Sequence, residues 1–205
     1  MSEKGSSVAV VMEGHLERGP EGEVVPERTW STCTLVRTGG RVILVDTGSR
    51  STAEKLNAGL EAAGISADDV DTVVLTHHHA DHIGGIGLFP DAEIVMAQGP
   101  GVLGRDVTFA SGDTLLLPGV SLVMTPGHTW DSASLFVSIP GDGLKYAIAG
   151  DAVPKRSNIE KRKVPALNVS PEDAMRSMEH IVRWADIVVP GHEAPFQTAG
   201  LKRLY

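Results

Sequence analysis

Short apolar runs that end in aspartate or histidine constrain this 205-residue chain more than any other feature. Val73-Val74-Leu75 leads into His77-His78-His79-Ala80-Asp81-His82, and Arg41 to Val45 ends at Asp46. Ser121 to Met124 leads through Thr125-Pro126-Gly127 to His128. Tyr146 to Gly150 ends at Asp151, and Ile187 to Val189 leads through Pro190-Gly191 to His192. Runs of this length bounded by Gly and Pro read as buried strands. In layered α/β architectures, functional groups gather on loops beyond one sheet edge, where glycines let the backbone approach a ligand. A buried aspartate is costly unless it is paired or metal-bound, so core packing does not explain five such strand ends.

The richest of these ends packs four metal-ligand side chains into six residues. In extended chain alternate side chains share a face, so His77 and His79 point together and His78 points away, into the fold or toward a backbone partner. Asp81 and His82 follow where the chain turns into Gly84-Gly85. One bend thus offers two imidazoles on one side and a carboxylate plus an imidazole on the other. That suffices for two neighbouring cations, each needing ligands from elsewhere. A solvated histidine-rich turn is the competing reading, and the mid-chain position at a strand end argues against it.

The rest of the pattern places these ends in a fold. Strands are expected at Ser7 to Met12, Ser31 to Arg37 and Arg41 to Val45, the last two joined by a Gly39-Gly40 turn. A helix over 52–63 carries Leu56, Leu60 and Ala63 on one face and stops at Gly64. After the histidine-bearing strand come strands near 93–96, 114–117, 120–124, 133–139 and 145–149. A second helix starts from a Ser170 cap with Pro171 at its first position and Asp173 as the capping acid, and strand 186–189 follows. Strands, helix and strand, twice over, predict an α/β fold of two facing halves, a four-layer αββα sandwich. At this length the expectation is one domain over 1–205. The Gly14 to Glu27 segment is expected to be a mobile loop overhanging the site.

Composition narrows the function class. Cys33 is the single cysteine, so no intramolecular disulfide forms, and it is expected to be a small buried hydrophobe. No basic apolar leader and no run of 18 apolar residues is visible, so a soluble cytoplasmic protein with no membrane partner is expected. A net charge of -8 disfavours broad nucleic-acid binding. One segment departs from that acidity: Lys155, Arg156, Lys161, Arg162 and Lys163 stand against Glu160 alone. It reads either as a solvated surface loop or as an electropositive lip that draws an anionic small molecule toward the site.

The ordered set His77-x-His79-x-Asp81-His82, His128, Asp151 and His192, with Asp46 upstream, resembles the metallo-β-lactamase superfamily of hydrolases, and within it the glyoxalase II-like members. The resemblance spans nearly the whole chain. It implies that His77, His79 and His128 hold one metal, that Asp81, His82 and His192 hold the other, and that Asp151 bridges them. Imidazole and carboxylate ligands suit two Zn²⁺ ions and also accept Fe or Mn. The implied reaction is attack on an activated carbonyl (thioester, ester or lactone) by metal-bound hydroxide, with Asp81 as the catalytic proton acceptor. Asp46 is expected to act as an outer hydrogen-bond acceptor that fixes the histidine loop. Trp130 and Asp131, where relatives often carry small residues, would narrow the pocket. The substrate depends on loops 14–29, 98–112 and 153–168. Three alternatives remain: a phosphodiesterase or RNA endonuclease, favoured by the Lys155 to Lys163 segment; a mononuclear iron dioxygenase, to which Asp81, His82 and His192 would be spectators; and a non-enzymatic metal-binding module. Salt-dependent RNA affinity would distinguish the nuclease. The oligomeric state is left open.

Overall fold

A computed structural model of the chain describes residues 6–97, 99, 104–138 and 143–205. The first half runs β1 (Ser7–Met12), β2 (Cys33–Thr38), β3 (Arg41–Val45), α1 (Ala53–Ala62), β4 (Thr72–Leu75), α2 (Ala80–Ile83), β5 (Glu93–Ala97) and β6 (Thr108–Ala110). The second runs β7 (Thr114–Leu117), β8 (Val120–Met124), β9 (Ala133–Ser138), β10 (Lys145–Gly150), α3 (Arg156–Glu160), α4 (Pro171–Trp184), β11 (Ile187–Pro190) and β12 (Phe196–Gln197). Each half makes one sheet, in the orders β1-β2-β3-β4-β5-β6 and β12-β11-β10-β9-β8-β7.

The period-2 alternation of the strands sorts the core into three layers. Ile43, Val45, Val74 and Val95 meet Leu122, Leu135, Val137 and Ile148 between the sheets. Their sequence neighbours Leu44, Val73, Leu75 and Ile94 face outward onto Leu56 and Leu60 of α1. Phe136, Ala147 and Val188 likewise face Met178, Ile181 and Val182 of α4. Helix, sheet, sheet, helix is the expected four-layer αββα order, with the core filled from both sides of each sheet.

Strand direction gathers the polar ends. β3 and β4 pair in parallel, so Asp46 and the His77 loop leave the first sheet at the same edge. In the second sheet β10 and β11 are parallel, and β8 is antiparallel to β9, which is antiparallel to β10. The ends leading to His128, Asp151 and His192 therefore emerge together.

Local signals hold where expected. Gly39 and Gly40 take φ of 56° and 76° in the β2–β3 turn, the left-handed pair such a hairpin requires. Ser170 Oγ accepts the Asp173 N–H at 3.2 Å, with Pro171 opening α4. The sequence pattern passed over α2, α3, β6 and β12, each of two to five residues. Elements that short carry too few repeats for a period to show. Ile139, the last residue of the expected 133–139 strand, lies outside the described residues, as do 98 and 100–103 of the 98–112 loop. Cys33 is fully buried, and burial pushes its thiol pKa well up, as befits a packing residue.

Candidate metal centre

The gathered edge brings all seven predicted ligands into one cluster. Donor atoms of His77, His79 and His128 lie within 4.8 Å of one another. The same holds for His77, His82 and Asp151, and for Asp81, His82 and His192. Asp151 sits between the groups: its Oδ2 is 3.5 Å from His128 Nε2, and its Oδ1 is 3.5 Å from His82 Nε2 and 3.1 Å from His192 Nε2. Asp81 Oδ2 lies 3.6 Å from His192 Nε2.

What makes these imidazoles donors is the proton on the far side of each ring. His128 Nδ1–H donates to the Leu167 carbonyl at 2.7 Å, and His192 Nδ1–H to the Trp30 carbonyl at 2.9 Å. His82 Nδ1–H donates to Asp46 Oδ2 at 2.7 Å. Thr76 Oγ1 gives its own proton to Asp46 Oδ2 at 2.8 Å, which leaves its lone pair to accept His77 Nδ1–H at 3.1 Å. A ring that spends its proton outward keeps a lone pair on the other nitrogen. Four Nε2 atoms therefore face inward as bases. His79 joins them through Nδ1, 3.0 Å from His128 Nε2.

Asp46 earns its place through strain. It follows β3 with φ of 58°, a left-handed backbone that costs a non-glycine residue about 1 kcal/mol. In return its carboxylate accepts the Thr76 N–H, the Thr76 hydroxyl and His82, locking β3 to the histidine loop.

The electrostatics split the cluster. Burial, with His82 nearby, pushes His77 well below the ordinary imidazole range, and burial with His128 lowers His79 to about 4. Burial also opposes charge on His82, but Asp46 and Asp151 overcome it and raise its pKa. Asp151 does the same for His192. Burial opposes ionisation of Asp151 too, yet His192 and His82 hold its pKa well below the usual carboxylate range. Protons thus balance the carboxylates where a cation would, and metal binding releases such protons.

A divalent metal fits this donor set. His77 Nε2, His82 Nε2 and Asp151 Oδ1 are buried, and close as the last two lie to neighbouring cluster atoms, none of the three makes a properly aligned hydrogen bond. An orphaned buried polar atom costs about 1–3 kcal/mol. Three of them converging on one space is the signature of an absent ligand rather than of poor packing.

Above the cluster opens a cavity of about 1380 Å³, reached by His79, Asp81, His128, Asp151 and His192. The Gly14 to Glu27 segment overhangs it through Leu16, Arg18, Val24, Pro26 and Glu27. Of the five basic residues read as a lip, Lys155, Lys161 and Lys163 line this cavity. Arg156 and Arg162 depart from the expectation. Arg156 pairs with Glu160 one helical turn on, at 2.7 Å, and lies over Phe196. Arg162 bonds the Leu204 carbonyl and covers the Tyr205 ring. The segment is partly helical, so its cations diverge around α3 rather than forming one row. Arg18 and Arg50 line the cavity instead, and sequence reading passed over both.

His78 points away from the cluster, but its partner is the Asp131 carboxylate at 2.8 Å rather than backbone. Trp130 is 67% exposed and does not line the cavity, so the expected narrowing is absent. His15 bonds Glu17 and His180 packs on Phe136, both away from the cluster. The outward acceptors Trp30 O and Leu167 O are main-chain groups, which leave no trace in side-chain pattern.

Comparison with known proteins follows the same lines. Residues 30–101 match the family described as the metallo-beta-lactamase superfamily. Metallo-beta-lactamase domain-containing protein 1 of Xenopus laevis is 32% identical over 197 residues, covering 93% of this chain and 81% of that protein. The match to its human namesake, at 36% identity, spans 59% of that protein's length. A probable metallo-hydrolase of Methanocaldococcus jannaschii is 31% identical over 151 residues, 74% of this chain and 70% of the relative. In fold, the chain is similar to a solved N-acyl homoserine lactone hydrolase with its product N-hexanoyl-L-homoserine at the catalytic metal centre. That likeness has a TM-score of 0.68 at 23% identity over 88% of each chain. Among the described residues no helix is long and apolar enough to cross a membrane.

Proposed function

Because this chain belongs to the metallo-β-lactamase superfamily and is a metal-dependent hydrolase, we propose that it holds two divalent ions, most simply Zn²⁺, and cleaves an activated carbonyl: a thioester, ester or lactone. His77, His79 and His128 would hold one ion, Asp81, His82 and His192 the other, and Asp151 would bridge them. The observation that carries this reading is the set of four inward Nε2 lone pairs, each fixed by an outward hydrogen bond, together with the orphaned buried atoms that converge beside them. When bound, such ions supply a water acidified toward neutrality and a Lewis acid at the reacting oxygen.

The chain's own residues do the rest. Asp81, its side chain 25% exposed to the cavity, takes the proton that the attacking water releases. The buried imidazoles exclude bulk water from the floor. Leu16, Val24, Pro26, Val164, Pro165 and Leu167 give one part of the wall an apolar surface for an acyl group. Lys155, Lys161 and Lys163 with Arg18 and Arg50 attract an anionic end of a small molecule, against Glu27 as the acid outside the cluster.

The same cations favour a phosphodiester, including RNA, as the second reading. Metal content of the purified protein, then a panel of small esters, thioesters, lactones and phosphodiesters on that sample, separates the two. Two ions per chain with carbonyl cleavage is the expected result. Phosphodiester turnover alone would replace the substrate class, and a single iron without hydrolysis would overturn the reading.

A further inference from the structure

We propose that Asp131 is a positioning residue for the His77/His79/His128 ion, acting through His78; this rests on the two-ion reading above. His78 lies between two proposed ligands in the loop after β4. Its Nδ1–H donates to Asp131, lying 2.8 Å from each carboxylate oxygen. Asp131 belongs to the other contributing loop, three residues past His128 and between β8 and β9. The hydrogen bond therefore ties together the two chain segments, 53 residues apart, that must meet for these three imidazoles to share an ion.

Two further contacts show that this joint is built. The Ala133 N–H donates to the Thr76 carbonyl at 2.8 Å, so the same two segments are also clamped on one side of the pair. Gly99 presses on the carboxylate so closely that an added Cβ would stand 2.9 Å from Asp131 Oδ2. Asp131 is consequently 4% exposed, whereas the His78 side chain is 37% exposed. The pair is asymmetric: the buried acid depends on the histidine, and the histidine can turn to water. Outer partners of metal ligands fix ligand orientation, and losing one costs about 10–100-fold in affinity. Here the partner holds the side chain that stands between two ligands, and through it the loop, rather than a ligand ring.

The asymmetry selects the test. His78→Ala would strand a buried carboxylate and unfold the loop for reasons unrelated to the metal. Asp131→Ala leaves behind only a half-exposed imidazole. Zn²⁺ affinities are measured by competition with a chromophoric chelator, beside the thermal midpoint of the metal-free protein. In Asp131→Ala one of two Zn²⁺ sites should weaken about 10–100-fold and the other stay unchanged, with the metal-free midpoint falling only a few degrees. Asp131→Asn, whose Oδ1 still accepts from His78, should restore the lost affinity. Unchanged affinities in Asp131→Ala, or no rescue by Asp131→Asn, would overturn the inference. So would equal weakening of both sites alongside a large drop in the metal-free midpoint. Wild-type protein taking fewer than two ions would instead sink the two-ion reading itself.

Discussion

At the floor of the cavity four imidazoles are held from behind, whereas along the lip Lys161 and Lys163 are held only at their roots. His77, His82, His128 and His192 are each at most 4% exposed, and each spends its outward proton on a fixed acceptor. The lip at α3 is pinned through its backbone: Asn158 Oδ1 accepts the Lys155 N–H, and Asn158 Nδ2 donates to the Lys163 carbonyl. Among the described residues the ammonium groups of Lys161 and Lys163 have no hydrogen-bond or ion-pair partner. Burial makes the floor cooperative, because one missing partner strands another polar group in low dielectric. Exposure makes the lip additive and screened. Chemistry that needs fixed lone pairs belongs on the first, and the anion attraction proposed above would fall to the second.

The comparison breaks most easily at Asp151. Asp151→Ala should remove the carboxylate proposed to bridge the ions, lower metal content below two ions per chain and cut kcat/KM by more than about 10²-fold, the upper range for an outer partner. Full metal content in that variant would show that the floor is not cooperative. Two glycines sharpen the point. An alanine Cβ at Gly191 would fall 2.1 Å from Asp151 Oδ1, while the cavity-lining Gly87 has open space beside it. Gly191→Ala should therefore lose metal, and Gly87→Ala should stay within about 0.5 kcal/mol of wild type in denaturant titration.

Asp46→Ala comes next. It frees His82 Nδ1 and strands the Thr76 N–H, so metal affinity should drop about 10–100-fold and stability by about 1–3 kcal/mol. Calorimetric zinc titration and urea unfolding of the metal-free protein read the two effects separately. An affinity loss without a stability loss would mean that Asp46 serves only the ring and not the loop.

The same contrast explains what the sequence could tell. Asp46, Asp151 and the histidines announce themselves because a buried strand end has no cheap use for them, and strand alternation already separates Leu44 from Ile43 and Val45. The acceptors that set the tautomers, Trp30 O and Leu167 O, are main-chain atoms and belong to no pattern. Asp131 is visible as a residue, but its partner depends on how two distant loops cross. The lip was legible as charge and illegible as direction. Five residues of α3 turn Arg156 toward Glu160, and Arg162 ends under Tyr205. Which cations face the cavity is a property of backbone path, and exposed positions place no demand on sequence that would reveal it.

The smallest effect tests that last distinction. Lys161→Ala combined with Lys163→Ala removes two cations that line the cavity, and Arg162→Ala removes a neighbour that does not. For an anionic ester the double variant should raise KM by about 3- to 10-fold with kcat nearly unchanged, since exposed charge pairs contribute about 0.2–1 kcal/mol each. A neutral ester of the same leaving group should show no change. Arg162→Ala should leave KM for both esters where it was. Raising ionic strength toward 1 M, where screening acts within about 3 Å, should bring wild type and double variant together. An equal rise in KM for the neutral ester would mean that the lysines shape the wall rather than attract charge. A kcat loss in the double variant would mean that the lip reaches the floor and that the two regions are not independent.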